Sequence, residues 1–186
     1  NFIKLMSREI MMKYYPSVLI KTVLGNITVK LFSKKAPITV TNFLHYVDNH
    51  LLDGSSIFRI VNDNNASQAE DANAAINVVQ AGLPPEHPKL LPGIAHETTK
   101  DTGILHLDGT ISMARFEPGS ADGSFFFCIK DQPELNFGGK RYDDGLGFAA
   151  FGQIIQGRDV LEQIFQKAEN QEYLENEISI TSITRC

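Results

Sequence analysis

Tryptophan, cysteine, surplus basic charge and long apolar runs are all scarce or missing in this 186-residue chain, which has no Trp and only two Cys. Cys128 and Cys186 stand at no ligand spacing from each other or from a His, so they build no metal site. A small buried hydrophobe and an exposed tail thiol, unbridged, are the expected states. Lys and Arg total 17 against 22 Asp and Glu, a net charge of -5, which argues against nucleic acid as a partner. No run reaches the roughly 18 apolar residues of a membrane-spanning helix, so no membrane partner is expected. There is no Gly-x-Ser-x-Gly elbow, no phosphate-cradling glycine loop and no convincing carboxylate pair, and ordinary hydrolytic chemistry is weakly supported. His96-Glu97 lacks a second His at a helical interval, so it reads as a loop or strand-end pair and not as a zinc motif. The start at Asn1 in place of Met is expected of a processed, truncated or tagged chain, and leaves both a cytoplasmic and a periplasmic home open.

What is present is a single core. At 42% hydrophobic residues the chain supports one well-buried domain, expected over 17–186, with 1–16 as an extension that shows no sustained period. Runs 18–24 and 27–32 are β-rich and read as a hairpin joined at Gly25-Asn26. The period then switches to 3.6: Val40, Phe43, Leu44, Val47 and Leu51 mark an amphipathic helix with Pro37 in its first turn. A second helix is announced by Asp159 and Glu162 as a capping box and by a stripe of Val160, Leu161, Ile164, Phe165 and Ala168. Further strands are expected at 55–61, 77–82, 109–114, 124–130, 148–156 and 177–184. The chain is thus predicted to be mainly β, a closed eight-stranded antiparallel barrel with two covering α-helices. Segments 62–75 and 83–92, polar or proline-rich, read as surface loops, and 138–145 as a long turn.

Two features carry chemistry. Three consecutive rings, Phe125, Phe126 and Phe127, put large side chains on both faces of one strand, one face for a core and one free to line a pocket. Arg59 interrupts the apolar strand Ile57-Phe58-Arg59-Ile60-Val61, where it must snorkel, pair with a carboxylate or reach a groove.

With Ala36-Pro37, Thr41-Asn42-Phe43-Leu44, Val78-Val79-Gln80-Ala81-Gly82, Ser112-Met113-Ala114-Arg115 and Phe151-Gly152, these motifs follow one another in an order that resembles the cyclophilin family of peptidyl-prolyl cis-trans isomerases over nearly all of 17–184. The resemblance implies Arg59 as the catalytic arginine, Gln80 as the glutamine that supports it, and Phe127 as the floor of a proline pocket. Val78, Ala114 and Leu135 would complete its wall and rim, with Arg115 and Phe148 also touching substrate. It implies no metal or cofactor, a monomer, and proline-containing peptides and folding proteins as partners.

The chain also departs from typical members. It reads Ile57-Phe58-Arg59 where they read Phe-His-Arg, Asn77 where they carry an aromatic, Phe125 for a glutamine and Phe148 for a His or Tyr. Between Arg59 and Gln80 it is longer by roughly a dozen residues, so 62–75 is expected to be an insertion beside the groove. Glu134 falls where an indole usually favours cyclosporin-type cyclic peptides; weak cyclosporin binding is expected, with partial recovery in Glu134→Trp. Two functions compete: an active isomerase of X-Pro bonds, and a cyclophilin-like peptide-binding or chaperone module with little catalysis. A carrier barrel for a small apolar ligand is disfavoured, because the many large side chains imply a filled interior.

Overall fold

The computed structural model describes residues 15–66 and 74–186. Eight strands form the frame: β1 (Ser17–Thr22), β2 (Gly25–Leu31), β3 (Ser56–Val61), β4 (Val78–Gly82), β5 (Thr110–Met113), β6 (Ser124–Cys128), β7 (Ala149–Gln156) and β8 (Tyr173–Arg185). Helix α1 (Pro37–Asp48), the single turn α2 (Thr99–Thr102) and α3 (Arg158–Phe165) interrupt them. All paired strands run antiparallel and close in the order β1-β2-β7-β5-β6-β4-β3-β8, the expected barrel. Of the extension expected at 1–16, only Tyr15 and Pro16 fall among the described residues. Pro16 accepts a hydrogen bond from the Leu31 amide and Tyr15 packs edge-on against Phe32. The insertion expected at 62–75 is likewise described only at its two ends.

Strand alternation fills the interior with Ile20, Ile27, Val29, Ile111, Phe125, Phe127 and Ile183, while α1 seals one end with Val40, Phe43, Leu44 and Val47 and α3 contributes Leu161 and Ile164. Phe43 meets Phe125 edge-on at 5.4 Å between ring centroids, so helix and barrel share one aromatic core.

Local chemistry differs from the expectation at two ends. Thr22 pairs with Gly25, so the hairpin turns through Val23 and Leu24 and not through Gly25-Asn26. Gly25 is required for a different reason: at φ +142° a side chain is strained, and a Cβ there would stand 2.8 Å from a Val160 methyl of α3. The second helix starts without the predicted capping box. Its N-cap is Gly157, no side chain caps it, and Glu162 instead accepts from Arg158 and Gln166. For α1 the cap comes from far along the chain: Glu97 accepts from the Ile38 and Thr39 amides and the Thr39 hydroxyl, with the Thr39 amide at 2.8 Å. Leu51 lies beyond the helix end at Asp48 and packs from the following turn.

One irregularity positions the site. The β3–β4 register runs Ile57↔Ala81 and then Arg59↔Gln80, so two β3 residues oppose one β4 residue, a bulge. It allows Ile57 and Ile60, three apart, both to face the interior, and leaves Phe58 and Arg59 on the outer face. Without it, strict alternation would put Arg59 on the same face as Ile57.

Candidate active site

Outside the barrel wall formed by β3, β4, β6 and β5 lies a second apolar cluster containing Val61, Ile76, Val78, Phe126, Leu135 and Phe148. It floors a groove of about 210 Å³, small against the roughly 300–1,000 Å³ of pockets for drug-sized ligands and suited to one or two residues of a peptide. Phe126 is the ring at the floor. It meets Phe148 edge-on at 5.7 Å and is backed by the His106 imidazole, stacked at 6.1 Å.

Phe127, expected at this floor, faces the opposite way. It is 3% exposed inside the barrel beside Phe125, and its cross-strand partner is Val79. The reason is the two-residue period: Phe126 pairs with Gln80 and Ser112 and shares their outward face, so the expected position is displaced by one residue.

Arg59 and Gln80, neighbours across the bulge, are brought together as the resemblance implies. Arg59 Nη1 donates to Gln80 Oε1 at 3.0 Å, and Gln80 Nε2 donates to Ser124 Oγ at 2.9 Å. A partner that the sequence reading missed holds the other edge: Arg59 Nε donates to Glu172 Oε2 at 2.9 Å, and Nη2 donates to the same oxygen. Tyr173, the first residue of β8, lays its ring 5.5 Å from the guanidinium carbon and stacks on Phe58. Of the five guanidinium N–H groups, three are thus committed and two have no partner among the described residues.

The segment before β8 is tied in place by a residue of the segment read as a surface loop. Asn65, fully buried, donates through Nδ2 to the carbonyls of Ile60, Glu169 and Gln171. Its own oxygen accepts from the Asn62 amide. Part of 62–66 is therefore a buried brace, since three carbonyls converging on one amide need a fixed donor.

Val78, Ala114, Leu135 and Phe148 all line the groove, as expected. Arg115 also lines it, but its side chain is only 1% exposed and its five N–H groups meet Gly147 O, Phe116 O and both oxygens of Asp144. It binds the 138–147 turn to the barrel and stacks beneath Tyr142 and Phe148, leaving no donor for a peptide. Glu134 lies outside the groove: it borders a separate depression with Phe137 and accepts from the Lys140 amide at 2.8 Å. Asn77 donates to Asp63 at 3.1 Å and does not line the groove, whereas its neighbour Ile76 does, beside Val78.

Titration behaviour separates the groups. Burial, only partly offset by the Asn136 hydrogen bond, pushes His106 down to about 4. It is neutral at pH 7, with Nδ1 donating to Asn136 Oδ1 at 2.8 Å and Nε2 accepting from Ser112 at 2.9 Å. Burial raises Asp122, which also lines the groove, above the usual carboxylate range. The Cys128 thiol is pushed far up by burial and is inert, while Cys186 is exposed and free.

Comparison with known proteins agrees with this geometry. Residues 17–185 match the family model described as cyclophilin type peptidyl-prolyl cis-trans isomerase/CLD. The chain is 30% identical over 150 residues to peptidyl-prolyl cis-trans isomerase A of Dickeya dadantii, covering 80% of this chain and 70% of that protein. It is 30% identical over 148 residues to isomerase B of Escherichia coli, covering 75% of this chain and 78% of that protein. A crystal structure of a cyclophilin type isomerase from Cryptosporidium parvum superposes with a TM-score of 0.70 at 18% identity, covering 93% of this chain and 98% of that one. The same parasite protein in the presence of the dipeptide Ala-Pro gives 0.69. The bulged strand, the closed barrel and the family match converge: the chain belongs to the cyclophilin-type peptidyl-prolyl cis-trans isomerases.

Proposed function

We propose that the groove isomerises X-Pro bonds of peptides and folding proteins, with the proline ring against Phe126, Val78, Leu135 and Phe148 and Arg59 acting on the electrons of the rotating amide. The observation that carries this reading is the chain Arg59–Gln80–Ser124 suspended beside an apolar floor. Rotation about a peptide bond meets a barrier of about 18–20 kcal/mol because the nitrogen lone pair is delocalised into the carbonyl. A guanidinium with two unfilled N–H groups, in a partly dry groove, stabilises the twisted state, where that pair is localised on nitrogen, more than either planar state. About 7 kcal/mol of such preference gives roughly 10^5-fold acceleration. No covalent intermediate is needed. A protease-coupled proline-peptide assay tests it: a native chain above the uncatalysed rate with Arg59→Ala far below the native chain supports the proposal, and equal rates for the two chains overturn it.

A second reading, peptide binding with little catalysis, draws on Glu172. The carboxylate neutralises part of the charge that Arg59 offers to the amide. Under either reading cyclosporin-type cyclic peptides are expected to bind weakly, because the chain has no Trp and Glu134 faces its own turn. For the same reason Glu134→Trp is no longer expected to restore binding.

A further inference from the structure

Every described arginine except one is held by a carboxylate: Arg59 by Glu172, Arg115 by Asp144, Arg158 by Asp108 and Arg185 by Asp48. The exception is Arg141, on the 138–147 turn, and it lines the same groove as Arg59. Among the described residues its side chain makes one hydrogen bond, a donation from Nη1 to the Ala74 carbonyl at 3.0 Å. One of five N–H groups is therefore accounted for among the described residues, on a half-buried cation whose burial works against its charge. The neighbouring charges do not resolve this. Arg59 opposes it, Glu172 favours it but forms its ion pair with Arg59 through Oε2, and Asp122, also at the groove, makes no ion pair with it among the described residues.

A guanidinium that lines a peptide groove with no counter-ion among the described residues is a receptor for an anion. We propose that Arg141 is a specificity site for peptides that carry a carboxylate side chain on a residue flanking the proline, which it binds as the proline ring enters over Phe126. This rests on the reading of the groove as a prolyl-peptide site. The turn that carries Arg141 is rigid enough to serve: Arg141 N donates to Glu134 O, and Arg115 clamps Asp144 and Gly147 from below. Planar N–H pairs match a carboxylate, so Lys at this position keeps the charge but loses the fork.

The test uses one tetrapeptide frame with Ala, Glu or Lys immediately before or immediately after proline, with cis-trans exchange followed by NMR and binding by calorimetry. For the native chain, a Glu peptide in one of the two positions is expected to be favoured about tenfold over its Lys counterpart at low salt, shrinking as salt is raised. In Arg141→Gln that ratio is expected to fall to about two or less, and in Arg141→Lys to stand between. Equal handling of Glu and Lys peptides by the native chain, or a preference that survives Arg141→Gln, overturns the proposal. If no peptide is turned over, the isomerase reading fails, and the proposal is decided by calorimetry on the same peptides: equal affinities overturn it. If Arg141→Gln does not fold, the native ratio and its salt dependence decide alone.

Discussion

Arg59 Nε stands 2.9 Å from Glu172 Oε2 across 113 residues of chain, and this pair, 21% and 12% exposed at the side chains, joins β3 to the segment leading into β8. Gln80 holds the opposite edge of the same guanidinium. The arginine proposed to act on the peptide bond is therefore fixed on two sides before any substrate arrives, and orientation of that kind is a large part of what a positioned group contributes.

Glu172→Ala is expected to lower kcat about tenfold with a smaller change in KM, because Arg59 loses one edge of its support. Glu172→Gln keeps an acceptor oxygen and should remain within about threefold of the native rate. A rise in activity in both variants would show that neutralisation of Arg59, not orientation, is the dominant effect of Glu172. Steady-state kinetics on one proline peptide distinguishes the outcomes.

Arg59→Ala should lose about 10^2 to 10^3 in kcat/KM, as removal of a transition-state donor does. It should also destabilise the fold by about 1–3 kcal/mol, because the Glu172 carboxylate is left without its partner. Adding Glu172→Ala is expected to restore stability and not activity. Chemical denaturation of the single and double variants checks the first half, and the coupled assay the second.

Phe126→Ala and Phe127→Ala, adjacent in sequence, should fail in different ways. Phe127 is an interior ring, so its loss is expected to cost about 3–5 kcal/mol of stability. Phe126 floors the groove, so its truncation should raise KM for proline peptides strongly in a chain that still folds. Melting curves beside kinetics separate the two, and a Phe127→Ala chain with native stability would contradict the interior placement.

His106 makes stability fall on mild acidification. Its pKa is about 4 in the fold against 6.5 for the unperturbed group, so between those values the unfolded chain binds a proton that the folded chain does not. The contribution is fully present above about pH 6.5, declines as pH falls toward 4 and is gone below it. Because His106 backs Phe126, groove affinity should weaken over the same window. His106→Gln is expected to flatten the dependence between pH 6.5 and 5, measured by urea denaturation at fixed ionic strength.

The barrel was legible because its strands alternate and its helices show a 3.6-residue stripe, signals that act over a few residues. Cys128 is buried, as expected of a small hydrophobe in an apolar strand, whereas the place of Val78, Gln80, Ala114 and Leu135 at the groove was implied by the family resemblance and not by any local pattern. The start of β8 was not legible: Tyr173, Glu175 and Asn176 are exposed and polar, so alternation emerges only from Ile178, and the strand is expected from the sequence only over 177–184, short of Glu172 and Tyr173. Asn65 looked like part of a solvated stretch because composition reports the average of a segment, and one buried amide in it leaves no trace.

By itself the sequence determined which residues had to be inside and which strands could pair, since burial of an alternating face is decided by residue type at a two-residue period. Tertiary structure alone decided which of three consecutive phenylalanines meets the groove, because that depends on strand register: Gln80 opposite Phe126, with Val79 opposite Phe127. It likewise decided that Arg59 is ion-paired and that Arg141, among the described residues, is not. Coulomb interaction and hydrogen bonding act over a few ångströms of space, whatever the separation along the chain, and only the closed barrel brings Glu172 to Arg59.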